Sequence, residues 1–432
     1  MTRISIPLTA EDAKAAPREF ALLKQLKSNS DGTVDAQAFK DLVKKYGSSS
    51  ATVDGDKLSF EEAAKLLSKT GSTQFPGEGN AIAYAAQDAT GHLAPFRFTR
   101  RPVGELDIKI KITHCGICHS DLHQIRNDWK NSTFPMVPGH EIVGIVTEVG
   151  SGVTGWKAGD RAGIGCFTRA CRDCKQCHKN TDQYCAKMVF TYNGQDWGEE
   201  NHATQGGYSD SYVIDNRYAL HVPENLPLDA AAPLLCAGIT VWSPMMHYGI
   251  NKPGMKLGVV GLGGLGHMAV KFGKALGMEV TVISTSPHKE KEAREHLGAD
   301  NFIVSRDEAQ MAKAVRTLDG IIDTVSAKHD ISQLLPLLDV DGTLVLLGVP
   351  PEPHTFHTGS VLFSRLCIGG SLIGGIKETQ EMLDLCGEKN ITCDVEVIDV
   401  DYVNKAMERL EKNDVHYRFS IDMLNSLLEP AA

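Results

Sequence analysis

Residues 256–277 read KLGVVGLGGLGHMAVKFGKALG, a pattern that points to a strand, a tight turn and a helix in succession. A short apolar run is followed at once by G-L-G-G-L-G and then by a segment with helical periodicity. Gly261, Gly263 and Gly266, with Gly264 and Leu265 between them, let the backbone turn tightly and approach a pyrophosphate seated on the following helix N-terminus. A glycine-rich helix packing contact is the plainer alternative. The surroundings weigh against it, because EVTVIST, NFIVS, GIIDTVS and TLVLLGV are further strand candidates, separated by helical segments such as PHKEKEAREHLG and DEAQMAKAVRTL. Strand–helix alternation at this spacing predicts βαβ units on a parallel, doubly wound sheet.

An acid that would hold a free ribose 2'-hydroxyl is expected about 20 residues beyond the glycines. It is absent. The second strand ends VISTSPHKEK, so Ser284, Thr285 and Ser286 present hydroxyls with Lys289 close behind. Small hydroxyls and a cation suit a 2'-phosphate, which a carboxylate would repel. NADP(H) is therefore expected over NAD(H), with a solvated turn as the alternative.

Upstream, Cys171, Cys174, Cys177 and Cys185 form C-x2-C-x2-C-x7-C in a polar loop. Four thiolates at these spacings can close a tetrahedral shell around zinc with no open position, which marks a structural site. An iron–sulfur cluster or unliganded thiols are the other readings. His178 lies inside the loop and reads as an exposed side chain.

Residues 115–141, CGICHSDLHQIRNDWKNSTFPMVPGHE, concentrate soft and imidazole ligands. A catalytic zinc uses few protein ligands so that one position stays open for substrate. Spacing alone leaves open whether Cys115 or Cys118 is the ligand beside His140 and Glu141. Cys236, in PLLCAG, stands at the junction of the two domains, a usual place for a catalytic site, and is a credible distant ligand. Cys166, Cys367, Cys386 and Cys393 lack ligand-like neighbours.

The remaining chain fits around these parts. ELDIKIKITHCG alternates like a half-buried strand, and the region up to about Val222 is Gly-rich and β-like. GSTQFPGEGN, residues 71–80, reads as a linker. Before it, PREFALLKQLK and AQAFKDLVKKY have helical patterns around two Asp-Gly turns that resemble calcium loops. The match is poor: a loop with its glycine at Gly32 starts at Lys27 and ends at Ala38, where a carboxylate and a bidentate Glu belong, and Gly55 and Leu58 do not fit one register. A small helical appendage is the expectation for residues 1–75.

The chain has 432 residues, 42% apolar and 23% charged, with a formal net charge of -10. This length predicts two or three domains. Without a dense Lys/Arg stripe, nucleic acid is a poor partner. No apolar run is long enough to span a bilayer and the N-terminus lacks a signal-like core, so a cytoplasmic protein is expected. Eleven cysteines are too dilute for a disulfide scaffold, and four crowd into one loop, which metal ligation explains better.

From about residue 81 to 422 the chain resembles the zinc-dependent medium-chain alcohol dehydrogenases, in particular the cinnamyl alcohol dehydrogenase branch. The likeness rests on CGICHSDLH, PGHE, the four-cysteine loop, LLCAGIT, GLGGLGH, STS and VHYRF. It implies an α/β fold with a GroES-like β-rich catalytic domain, residues 76–236 and 375–432, and a Rossmann cofactor domain, residues 237–374. It makes Cys118, His140 and Cys236 the catalytic zinc ligands, with Glu141 an alternate and Cys115 only a neighbour. Asp121 orients His140, while Ser120 and His123 match the proton-relay hydroxyl and histidine, refilled through the ribose hydroxyls. Phe190 stands where plant cinnamyl enzymes place Trp, and Trp129, in NDW, resembles microbial members that accept many aldehydes. His416 stands where Arg is common, so no cofactor contact is carried to it.

The expectation is a homodimer with two zinc ions per chain, reducing aromatic or medium-chain aldehydes reversibly with NADP(H). An NAD-dependent polyol or secondary-alcohol dehydrogenase is the rival. From another class comes a non-catalytic cofactor-binding or calcium-responsive adaptor that kept the fold.

Overall fold

The computed structural model describes residues 3–26, 33–47, 57–68, 71, 73–198, 202–350 and 352–429. The chain forms two compact units, the first made of Met1–Cys171, Ala186–Leu235 and Val395–Ala432, the second of Arg172–Cys185 and Cys236–Asp394.

The first unit is built on the long strand Asp107–Ile117, in which Ile108, Ile110 and Ile112 are fully buried and Lys109 and Lys111 face outward. That alternation fixes its register, since a one-residue slip would turn the isoleucines to solvent. Ile142–Val149 and Arg418–Asp422 pair with it antiparallel, and Ser211–Asp215 joins it as well. The sheet runs on to Arg161–Ile164 and Leu220–His221 on one side and to Val395–Ile398 on the other. The strand Asp107–Ile117 delivers the chain to Cys118.

The expected N-terminal helices are Ala10–Ala15, Pro17–Gln25, Ala36–Tyr46 and Phe60–Leu67. Thr9 with Asp12 and Ser59 with Glu62 close capping boxes that satisfy the first-turn amides. The buried guanidinium of Arg18 donates to the carbonyls of Leu67 (2.8 Å) and Leu424 (3.2 Å), and Phe20 packs over Gly159. These contacts seat the helices on the β-rich sheet's unit. The Asp31–Gly32 and Asp54–Gly55 turns, on which the calcium-loop resemblance rests, lie outside the described residues. Of that first loop's described end, Asp35 spends its carboxylate on the Ala38 amide as a helix cap.

The second unit is the doubly wound sheet. Its strands are β1 (Lys256–Val260), β2 (Glu279–Ser284), β3 (Asn301–Val304), β4 (Leu318–Asp323), β5 (Leu338–Leu346) and β6 (Cys367–Gly370). All pair in parallel, in the order β3-β2-β1-β4-β5-β6. Order reverses between β1 and β4, the switch point at which such sheets bind dinucleotides. Val260, Ile283, Ile321 and Leu344 form part of the buried core.

The expected return to the first unit at residue 375 comes instead at Val395. Helix Ile376–Lys389 buries Thr379, Met382, Leu383 and Cys386 and packs against helix Ala237–His247. The cysteine loop keeps the same company, because the Leu372 amide donates to Tyr184 Oη at 3.0 Å. Among the described residues no single helix is long and apolar enough to cross a membrane.

Candidate active site

Cys118 ends the long strand's run and caps helix His119–Ile125, and the acid three residues on reaches back to it. Asp121 Oδ2 accepts the Cys118 amide at 2.9 Å and the Tyr208 hydroxyl at 3.3 Å. Its Oδ1 accepts the Gly139 amide at 3.2 Å and lies 3.1 Å from His140 Nδ1. A carboxylate with no exposed surface is tolerated only when its oxygens are satisfied in this way. Holding Nδ1 leaves His140 Nε2 as the ring's free ligand atom. Gly139 is required here: at φ +105 a Cβ would lie 2.6 Å from the Tyr208 ring and 2.8 Å from Cys115 Sγ.

Ligand atoms of Cys118, His140, Glu141 and Cys236 all lie within 4.8 Å of one another, and all four residues are buried. Cys236 directly precedes helix Ala237–His247, whose N-terminal field favours a thiolate. Of the two cysteines left open by spacing, the structure brings Cys118 to this group. Cys115 Sγ instead donates to the Gly116 carbonyl, and burial, reinforced by the charges of Asp121 and Glu141, pushes its thiol well above the usual range.

Glu141 decides what the group is for. Its Oε1 pairs with the buried Arg418 guanidinium, while its buried Oε2 has no hydrogen-bond partner among the described residues. Burial raises its pKa to about 7 despite the pull of Arg418. An orphaned carboxylate oxygen beside two thiols and an imidazole is a donor set that a borderline-soft cation satisfies. The residues fit zinc. Gly116 makes room for this carboxylate, since a Cβ there would lie 1.9 Å from Glu141 Oε2.

Around the quartet, Ser120 Oγ lies 3.6 Å from Cys118 Sγ. His123 Nδ1 is 2.8 Å from Asp128 Oδ2, and its ring lies 5.3 Å from Trp129, which is 45% exposed. Phe190 lines a surface cavity of about 480 Å³ with Met188, Gln195 and Trp197, and Trp129 is not among its walls. Three residues went unnoticed in the sequence. Tyr192 stacks on His140 at 5.8 Å, its phenol raised by burial and by Asp121; Tyr208 holds Asp121; Arg418 holds Glu141. Only Arg418 left a signal, as a cation inside the apolar YRFSIDML.

The four thiols of Cys171, Cys174, Cys177 and Cys185 also lie within 4.8 Å of one another, with Cys174 and Cys177 3.6 Å apart. His178 is exposed and stands outside the cluster.

The glycine turn joins β1 to helix Gly266–Ala275. Gly261 has φ +86, and a Cβ on Gly266 would lie 2.0 Å from the Gly261 carbonyl oxygen. A Cβ on Gly263 would meet nothing within 4 Å, the open side that a close-approaching ligand needs. At the end of β2, Ser284 is buried and its Oγ accepts the Ser286 amide, while Thr285 is exposed. Lys289 reaches back to the turn, donating from Nζ to the Leu262 carbonyl at 2.9 Å, and partial burial lowers its pKa.

Residues 104–224 match the alcohol dehydrogenase GroES-like domain, and residues 264–388 the zinc-binding dehydrogenase domain. Over 347 residues the chain is 55% identical to a probable mannitol dehydrogenase of Fragaria ananassa, covering 80% of this chain and 96% of that protein. This chain belongs to the zinc-dependent medium-chain alcohol dehydrogenases. Cinnamyl alcohol dehydrogenase 8 of Arabidopsis thaliana is equally similar, 55% identical over 80% of this dehydrogenase and 96% of its own length. A solved cinnamyl alcohol dehydrogenase of Sorghum bicolor superposes with TM-score 0.79 at 53% identity, covering 81% of this dehydrogenase and 99% of that chain. One from Helicobacter pylori, solved with NADP(H), gives 0.75 at 39% identity over 80% and 99%. The dehydrogenase is accordingly an oxidoreductase that interconverts alcohols and carbonyl compounds, with a GroES-like and a Rossmann-type domain.

Proposed function

We infer that this dehydrogenase reduces aromatic or medium-chain aldehydes with NADPH, releasing the alcohol and NADP+, and runs in both directions. The observation that carries the reading is the buried quartet of Cys118, His140, Glu141 and Cys236 beside the Ser120 hydroxyl. When bound, zinc supplies a Lewis acid for the carbonyl oxygen and the nicotinamide supplies the hydride. Cys118, His140 and Cys236 hold the metal, and Glu141, restrained by Arg418, is the spare ligand. Asp121 fixes the His140 tautomer. Ser120 gives the carbonyl oxygen its proton, and His123, steadied by Asp128, exchanges protons with solvent. The cysteine quartet holds the second, structural zinc. Ser286, Thr285 and Lys289, with no acid among them, favour a 2'-phosphate, and the NADP(H) complex of the Helicobacter relative supports that choice.

The name of the Fragaria relative favours a second reading, a polyol dehydrogenase. A homodimer through the cofactor domain is supported by β6, an edge strand flanked in sequence by Leu362 and Phe363, which are 70% and 87% exposed. The test is an aldehyde and polyol panel assayed with zinc-replete, chelator-stripped and zinc-restored protein. NADPH consumption with cinnamaldehyde that disappears on stripping and returns with zinc is expected. No consumption with any aldehyde overturns the reading, and turnover confined to mannitol replaces it with the second.

A further inference from the structure

Outside the metal quartet, a second set of titratable groups stands at the carboxyl end of β4 and in the loop that follows it. Asp323 is the last residue of β4, is 1% exposed, and stands opposite Val260 across the switch point. Its Oδ2 lies 2.7 Å from His329 Nε2, while His329 Nδ1 lies 2.9 Å from the Ala327 carbonyl oxygen. Both ring nitrogens therefore face acceptors. A neutral imidazole has a single N–H, so the arrangement is satisfied only if the pair carries one proton more than a neutral ring beside a carboxylate, placed on either partner. Burial raises the Asp323 carboxyl, with His329 opposing, which suits a pair that keeps that proton.

The pair pins the segment that walls the crevice. Asp323 Oδ1 accepts the Val325 amide at 3.1 Å, and its backbone carbonyl accepts the Leu347 amide at 3.0 Å. Thr324 Oγ1 donates to the Val260 carbonyl at 2.8 Å and would lie 2.9 Å from a Cβ on Gly261. Gly348 approaches Val325 so closely that a Cβ there would meet its carbonyl oxygen at 2.1 Å. Three loops thus meet where a doubly wound sheet takes its dinucleotide, and the Asp323–His329 pair clamps the middle one. The other charged or titratable groups nearby are His354, whose ring meets His329 edge-on at 4.9 Å, Asp330, and Lys328 paired with Glu352.

We propose that Asp323 and His329 are positioning residues for the nicotinamide dinucleotide: their shared-proton bridge holds residues 324–329 against the glycine turn in the shape that binds the cofactor. The proposal rests on the NADP(H) reading above. Neither side chain is assigned a contact with the reacting atoms, so the effect falls on cofactor affinity and not on turnover.

The test uses full-length, zinc-replete wild type and the variants Asp323→Asn and His329→Gln. NADPH dissociation constants come from its fluorescence, kcat from saturating NADPH, folding from Tm, and ring protonation from the histidine 15N spectrum. Both variants are expected to raise the NADPH Kd tenfold or more while kcat stays within twofold and Tm and zinc content hold; the 15N ring shifts of His329 are expected to move in Asp323→Asn, whichever partner carries the shared proton in wild type. A Kd within twofold of wild type in both variants overturns the proposal. So does a loss of affinity accompanied in both by a collapse of Tm and zinc content, which marks the pair as general scaffolding. A wild type that binds no NADPH overturns the cofactor reading itself and this inference with it.

Discussion

At the residue scale, Asp121 shows how one side chain can set a site without touching substrate. It closes the cap on Cys118, receives Tyr208 and orients His140, so three segments depend on one carboxylate. Asp121→Asn keeps the shape and loses the charge; zinc affinity should fall about 10–100-fold, as measured by competition with a chelator. Ser120 has a different role. Ser120→Ala should lower kcat by about 10²–10⁴-fold while leaving two zinc ions per chain and NADPH affinity intact, read from steady-state kinetics beside metal analysis. The ligand types were legible from their clustering, yet the choice of Cys118 over Cys115 needed either family likeness or coordinates. Both are buried cysteines three residues apart, and only the turn into helix His119–Ile125 separates a member of the quartet from a core thiol. Tyr192 and Tyr208 were illegible because a tyrosine in a Gly-rich segment carries no sign of what its hydroxyl will meet.

At the element scale, the strands with runs of β-branched residues were plain in the sequence and β6 was not. Cys367–Gly370 reads CIGG, with too little β-branched content to announce a strand, and its place comes from parallel pairing with β5. Likewise Ile376–Lys389 was legible as no more than a possible return of the chain, since which unit a helix packs on is a tertiary fact. The cysteine loop depends on its metal more than on a core: Lys175–His178 is a single helical turn in which only Cys177 is buried. Cys177→Ser should remove one of two zinc ions and make residues 172–185 the first site of limited proteolysis, with the catalytic zinc still bound. Cleavage elsewhere first, or retention of both ions, would contradict this.

At the scale of the whole molecule, helix Pro17–Gln25 is seated on the β-rich unit through Arg18 and Phe20, a result the helical patterns could not give because docking leaves no periodicity of its own. His114 belongs to this region, on the strand Asp107–Ile117, with Asp422 opposite it and Asp229 and Lys45 nearby. Its Nδ1 is buried without a hydrogen-bond partner among the described residues, and burial holds its pKa below 6.5 despite Asp422 and Asp229. Below pH 6.5 the unfolded chain therefore binds a proton that the folded chain refuses. Stability from this group is complete above that pH and falls as pH drops beneath it, by at most about 1.4 kcal/mol per pH unit. His114→Gln should flatten that part of the profile between pH 7.5 and 5.5 in urea unfolding; parallel profiles for variant and wild type would exclude His114 as the source.

The buried quartet and the acid-free turn after β2 serve one reaction if the enzyme reduces aldehydes with NADPH. The most direct measurement is kcat/KM for cinnamaldehyde reduction by the two-zinc enzyme with NADPH and with NADH. A preference for NADPH of about 10²-fold, near 2.7 kcal/mol, is predicted; equal use of the two cofactors, a preference for NADH, or no turnover with either would contradict it.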